Sequence, residues 1–210
     1  MKRGIAALSA FALTMIVDTP ARAADIMAEW TSVKVPTAPE VKSVTVDPRT
    51  TALLMLDFVP QDPYCGPKRP RCGATLPAMK QLLVRARGKG VAVIFSVAGK
   101  FEAADIAKDV APAANEPTVK SKADKFLNTD LEKILKDKGI QTVIVTGNIA
   151  NGAVLYTGTG AALRGLKVIV PTDGLSANEP FEELLTVWQL AHGPGFGNLV
   201  TITKSDMIKF

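Results

Sequence analysis

Nothing after the first 17 residues is apolar for long enough to cross a bilayer, where about 20 consecutive residues are needed, so a membrane-spanning protein is not expected. Charge of one sign is also in short supply: 25 basic residues stand against 20 acidic ones, scattered rather than gathered in a stripe with aromatics, and nucleic acid is not an expected partner. Cysteine occurs only at Cys65 and Cys72. No G-x-G-x-x-G run opens a helix after a strand, and the glycines of GTGAA at 158–162 do not make a dinucleotide fingerprint. The stretch GNIANGAV at 147–154, after the apolar run IQTVIV, has the strand-to-helix setting and small residues of an active-site floor, yet it offers no nucleophile.

What is present begins with a leader. Lys2 and Arg3 precede an apolar run from Ile5 to Val17, and ARA at 21–23 has the small-residue spacing of a signal peptidase site. Residues 1–23 are read as a cleaved secretory signal, with the mature chain starting at Ala24 in the periplasm or outside the cell. Its removal takes three basic residues and one acidic residue, so the net charge falls from +5 to +3. In an oxidising compartment, the two cysteines flanking GPKRPR are expected to form a disulfide. The closed loop is short, so the stabilisation should lie near or below the typical ~2–4 kcal/mol.

Residues 24–49 are rich in Pro, Thr, Val and Lys without helical period and read as an extended arm. Residues 50–210 read as one domain. Its apolar runs ALLMLD (52–57), VAVIFSV (91–97), IQTVIVTG (140–147), LKVIVP (166–171) and NLVTITK (198–204) suit strands buried on both faces. Between them, LPAMKQLLVRARGKG, NTDLEKILKDKG, NGAVLYTGTGAALRG and PFEELLTVWQLAHG have helical spacing. The stretch 99–119 reads as a loop with a helical turn. The expected fold is α/β, three-layered and Rossmann-like, a parallel sheet of about five or six strands with helices on both faces. Ligands in such sheets sit beyond the carboxyl ends of the strands, which points to Asp57, the loop after Val97 and TGNIANGA.

Over roughly residues 50 to 205 the order of these pieces resembles the isochorismatase-like family of cysteine hydrolases. TALLMLDF looks like the family's first strand, whose terminal aspartate is catalytic, which implies that role for Asp57. The stretch VKSKADKFLNTDLEKILKDKGIQTVIVTG is similar to the one in which the family's lysine precedes a phenylalanine by six residues, which implies Lys120 with Phe126. Lys122 and Lys125 stand close by and leave the pocket-facing lysine open. GNIANGAVLYTGTGAALRGLKVIVPTDGLSA looks like the nucleophile turn, helix and next strand. Spacing from Gly147 puts the family's cysteine at Ala153. The resemblance also implies a cis peptide before that position, at Ile149–Ala150, and allows a homo-oligomer.

In the family the cysteine attacks, the aspartate takes its proton and the lysine supports the charge. An alanine methyl cannot attack, so thiol-based acyl transfer at this turn is excluded. Asp57 and Lys120 are left as an acid–base pair for a small polar molecule in the cell envelope. The alternative is a catalytically inactive relative that binds a small ligand or a protein partner. The pocket is expected to include Asn148, Ile149, Ala150 and Asn151, although the two asparagines could equally satisfy a tight turn. Family metal sites use histidines near the first strands, whereas His192 falls at the end of the last helix. Neither a catalytic metal nor a cofactor is expected. Phe126 is expected in the core, and Asp173 is read as structural or close to the pocket.

Overall fold

The computed structural model describes residues 25–210. The expected signal, residues 1–23, lies outside the described residues. The chain divides into two units, Met1–Thr37 and Ala38–Phe210. In the described part of the first, the Asp25 carboxylate accepts the Met27 N–H at 3.0 Å and caps a single helical turn, α1 (Ile26–Glu29).

The second unit runs β1 (Val44–Thr45), β2 (Thr51–Leu56), α2 (Pro70–Gly88), β3 (Ala92–Val97), β4 (Thr118–Lys120), α3 (Leu131–Asp137) and β5 (Thr142–Asn148). After a π-helical turn at Ala150–Val154 it continues through α4 (Leu155–Leu163), β6 (Lys167–Pro171), β7 (Leu175–Ser176), α5 (Pro180–His192), β8 (Val200–Thr203) and β9 (Ile208–Lys209). The main sheet is parallel throughout, in the order β4-β3-β2-β5-β6-β8, with β7 pairing the end of β5. It therefore has seven strands rather than five or six. The additional β4 and β7 are three and two residues long, too short to show a period in sequence. A separate parallel pair, β1 with β9, ties part of the expected arm to the end of the chain.

The central strands are buried on both faces, as their unbroken apolar runs require. Alternation divides each strand between two cores. Ala52, Leu54, Leu56, Val143 and Val145 face the layer of α3, α4 and α5, while Leu53, Met55, Phe95 and Ile144 face α2 through Met79, Leu82 and Leu83. Helix α2 starts at Pro70, six residues before the expected Leu76, and holds Pro77 in its second turn.

The carboxyl ends of β2, β3 and β5 deliver Asp57, the 98–99 turn and Asn148 to one edge of the sheet. Two backbone positions fix this edge. Asp57 adopts φ 54°, sparsely populated for a residue with a side chain, and so leaves the strand direction at once. Gly147 sits at φ 140°, and a Cβ there would run into the Leu56 carbonyl oxygen on the neighbouring strand. Gly147→Ala should therefore destabilise the fold by about 3 kcal/mol or more, a drop of roughly 6 °C or more in Tm. A melt within about 2 °C of the wild type would show that this edge is not so constrained.

Candidate active site

Asp57 is 2% exposed, and both of its oxygens are held. Oδ1 accepts a hydrogen bond from Ser96 Oγ on β3 at 2.8 Å, and Oδ2 accepts one from Lys125 Nζ at 2.7 Å. Lys125 is fully buried, and its ammonium also donates to the carbonyls of Lys122, at 2.6 Å, and Ser121, at 3.2 Å. All three ammonium protons therefore have an acceptor, which a buried cation needs to remain charged. The Lys125 backbone N–H donates to Thr157 Oγ1 at 3.1 Å, fastening the loop to α4.

Lys125, not Lys120, is thus the lysine at the aspartate. Lys120 ends the short edge strand β4, where Val119 faces inward, so alternation turns Lys120 outward to pair with Glu102 on the surface. Lys122 lies at the rim of the cleft described below. Phe126 is in the core as expected, with the Arg164 guanidinium 4.3 Å from its ring centroid. The cis peptide is Asn148–Ile149, one bond before the expected Ile149–Ala150, because β5 runs on through Asn148 and the π-turn begins at Ala150.

Asp57, Tyr64, Ala98, Lys122, Ile149 and Ala153 are among the residues around a cleft of about 320 Å3. The methyl of Ala153 thus shares a cavity with the buried acid. Of the expected pocket residues, Ile149 reaches this cleft, while Asn148, Ala150 and Asn151 are not in its lining. Asn148 is buried and accepts from Ser176 Oγ at 3.3 Å, Ala150 packs in the core, and Asn151 Nδ2 donates to Glu182 on α5 at 3.1 Å. Asn151 is drawn off by α5 and Asn148 by β7, although the Asn148 Nδ2 is buried without a hydrogen-bond partner among the described residues.

A larger cavity, of about 580 Å3, lies at the amino ends of β2 and β3 beside Arg49, Arg87 and Glu116. It brings no reactive pair together, since Arg49 is taken by Asp47 and Arg87 by Glu116. Asp173 is structural, accepting from the N–H and hydroxyl of Ser205. His192 closes α5, stacked on Trp188. Among the described residues no three His, Cys, Asp or Glu side chains group as a metal site.

Burial dominates the electrostatics of the pair. It raises the Asp57 carboxyl above the ordinary carboxylate range, against the opposing pull of Lys125 and Ser96. It likewise lowers the Lys125 ammonium, against the pull of Asp57. Burial thus pushes both groups toward neutrality, while the 2.7 Å hydrogen bond between them favours their charged forms. Sequence reasoning missed two members of this group. Ser96 was legible as the one hydroxyl in an otherwise apolar buried strand, whereas three nearby lysines gave no signal that singled out Lys125.

A carboxyl and an amine hydrogen-bonded in the crevice beyond the carboxyl ends of a parallel sheet place a candidate site where α/β proteins bind their ligands. Comparison with known proteins narrows the class. The isochorismatase domain model matches residues 51–204, most of the chain, and the protein belongs to that family. Among curated proteins, N-carbamoylsarcosine amidase of Arthrobacter sp. is 36% identical over 78 residues, which is 37% of this chain and only 30% of the amidase. Two solved structures share the fold. An isochorismatase family protein from Desulfovibrio vulgaris matches with a TM-score of 0.65 at 21% identity, over 75% of this chain and 95% of its own. N-carbamoylsarcosine amidase from Thermoplasma acidophilum matches with a TM-score of 0.64 at 20% identity, over 75% and 97%.

The pair makes a prediction about pH. In Lys125→Met, Asp57 loses the partner that favours its charged form, and its folded pKa rises further above the unfolded value of about 3.9. The folded state then binds more protons than the unfolded one, so stability should be full below about pH 4 and fall as pH rises through the new folded pKa. Urea melts from acid to neutral pH should show this fall in Lys125→Met and lose it in the double variant with Asp57→Asn. Parallel profiles for Lys125→Met and wild type would contradict the assignment.

Proposed function

We propose that the protein is an isochorismatase-family hydrolase of the cell envelope that acts on a small polar molecule without a cysteine nucleophile, using Asp57 and Lys125 as its acid–base pair. The observation that carries this reading is Asp57 itself, a buried carboxyl with a raised pKa in the cleft that also holds Ala153. As the neutral acid, which burial favours, it can deliver a proton to a leaving group; as the carboxylate, stabilised by Lys125, it can take one from attacking water. Ala153 supplies only space for that water or for the substrate.

The mature protein should turn over at least one compound among vinyl ethers, amides and N-carbamoyl compounds. Asp57→Asn, nearly identical in shape, should lose about 10²–10⁴-fold of that rate. Activity that survives the substitution, or a wild type inert toward all three classes, would sink the proposal.

A second reading, a binding protein without turnover, is favoured by one specific feature: both Asp57 oxygens already have protein donors. It separates from the first because a ligand would raise Tm equally in wild type and Asp57→Asn, without product.

An address outside the cytoplasm is part of the proposal. It is supported by the leader-like residues 1–23 and by the bridge joining Cys65 and Cys72, a bond that persists in oxidising compartments. Intact mass of the protein from an envelope fraction should correspond to a chain starting at Ala24. Recovery from the cytosol with residues 1–23 attached would refute it.

A further inference from the structure

The cleft beside Asp57 is uneven in charge. Its one carboxyl is Asp57, already tied to Lys125 and pushed by burial toward its neutral form. At the rim stands Lys122, whose ammonium forms no ion pair or hydrogen bond among the described residues; only its backbone carbonyl is used, by Lys125. The wall carries the Tyr64 phenol, held edge-on against Phe101 with ring centroids 5.5 Å apart. Burial and the charge of Asp57 raise the Tyr64 phenol above its ordinary range, against a smaller opposing pull from Arg69, which is not in the lining of the cleft.

Asp124, Glu102 and Asp62 are absent from the lining; Asp124 turns its Oδ1 to the Phe126 N–H at 2.9 Å and Glu102 is taken by Lys120. The remaining lining is small or apolar, with Ala98, Ala123 and Ile149 flanking Ala153. One end of the cleft thus suits an anion and the other an uncharged group.

We propose that the cleft selects a small organic monoanion, a carboxylate, held by the Lys122 ammonium and the Tyr64 hydroxyl with its uncharged end lying along Ala153 toward Asp57. The reaction at that uncharged end rests on the function proposed above, whereas recognition of the anion does not. A monoanion is favoured over a dianion because Lys122 is the one cation in the lining of the cleft, and it has no carboxylate partner among the described residues. The field of Lys122 concentrates such a ligand at the mouth, and the low polarity inside strengthens the contacts once it is seated.

Benzoate and benzamide, alike in size and differing in charge, are the probes. Calorimetric titration of the mature protein should give benzoate about tenfold or more tighter binding than benzamide, a preference that shrinks as salt is raised. Lys122→Gln should weaken benzoate by about three- to tenfold and leave benzamide unchanged, while Lys108→Gln, an exposed charge elsewhere, should change neither. Equal affinities, a preference that survives Lys122→Gln, or no benzoate binding at the highest soluble concentration would overturn the proposal. The same titration on Asp57→Asn keeps the two proposals apart: retained benzoate preference without any wild-type turnover would remove the hydrolase reading alone. Turnover of neutral compounds without that preference would remove the anion site alone.

Discussion

The hydrogen-bonded ion pair between Lys125 Nζ and Asp57 Oδ2 is the contact on which the arrangement of the cleft depends. Two charges taken out of water lose several kcal/mol of solvation each, and their attraction offsets this only where every remaining proton and lone pair is also used. Here Ser96 occupies the second carboxylate oxygen, and two carbonyls of the 121–125 loop receive the other ammonium protons. Satisfying the pair therefore ties together the ends of β2 and β3 and the loop after β4. Thr157 extends the connection to α4 through the Lys125 N–H. The cleft floor is specified because few other placements of these segments would leave no buried charge unpaired.

Much of the fold was legible because the signals for it are collective. A strand buried on both faces must be apolar at every position, and ALLML, VAVIF and TVIV can hardly be anything else in this order. Strands β4 and β7 escaped because two or three residues carry no period, and α2 began early because Pro77 imitates a helix start. Asp57 was legible from the end of its strand.

The lysine was not legible by counting. Lys120, Lys122 and Lys125 lie within six positions, and spacing alone does not say which backbone turn points inward. The deciding signal is alternation on β4: with Val119 inward, Lys120 must face out, and the next turns of the chain bring Lys125 back to Asp57. The asparagines of the nucleophile turn show the same limit. Their neighbours on α5 and β7, not the turn sequence, decide that Asn151 reaches Glu182 and Asn148 meets Ser176.

Replacing a thiol by a methyl at Ala153 changes what the rest of the cleft has to do. A cysteine enzyme holds the acyl half of its substrate by a covalent bond midway through the reaction, so loose recognition of that half is tolerable. Under the proposed function no covalent bond is available, so a substrate would have to be kept in register with Asp57 by contacts alone, from groups that do not wander. Tyr64 meets this requirement. It packs on Phe101 and immediately precedes Cys65, which is bridged to Cys72 in the first turn of α2. The disulfide, remote from any chemistry of its own, thereby anchors the Tyr64 wall of the cleft.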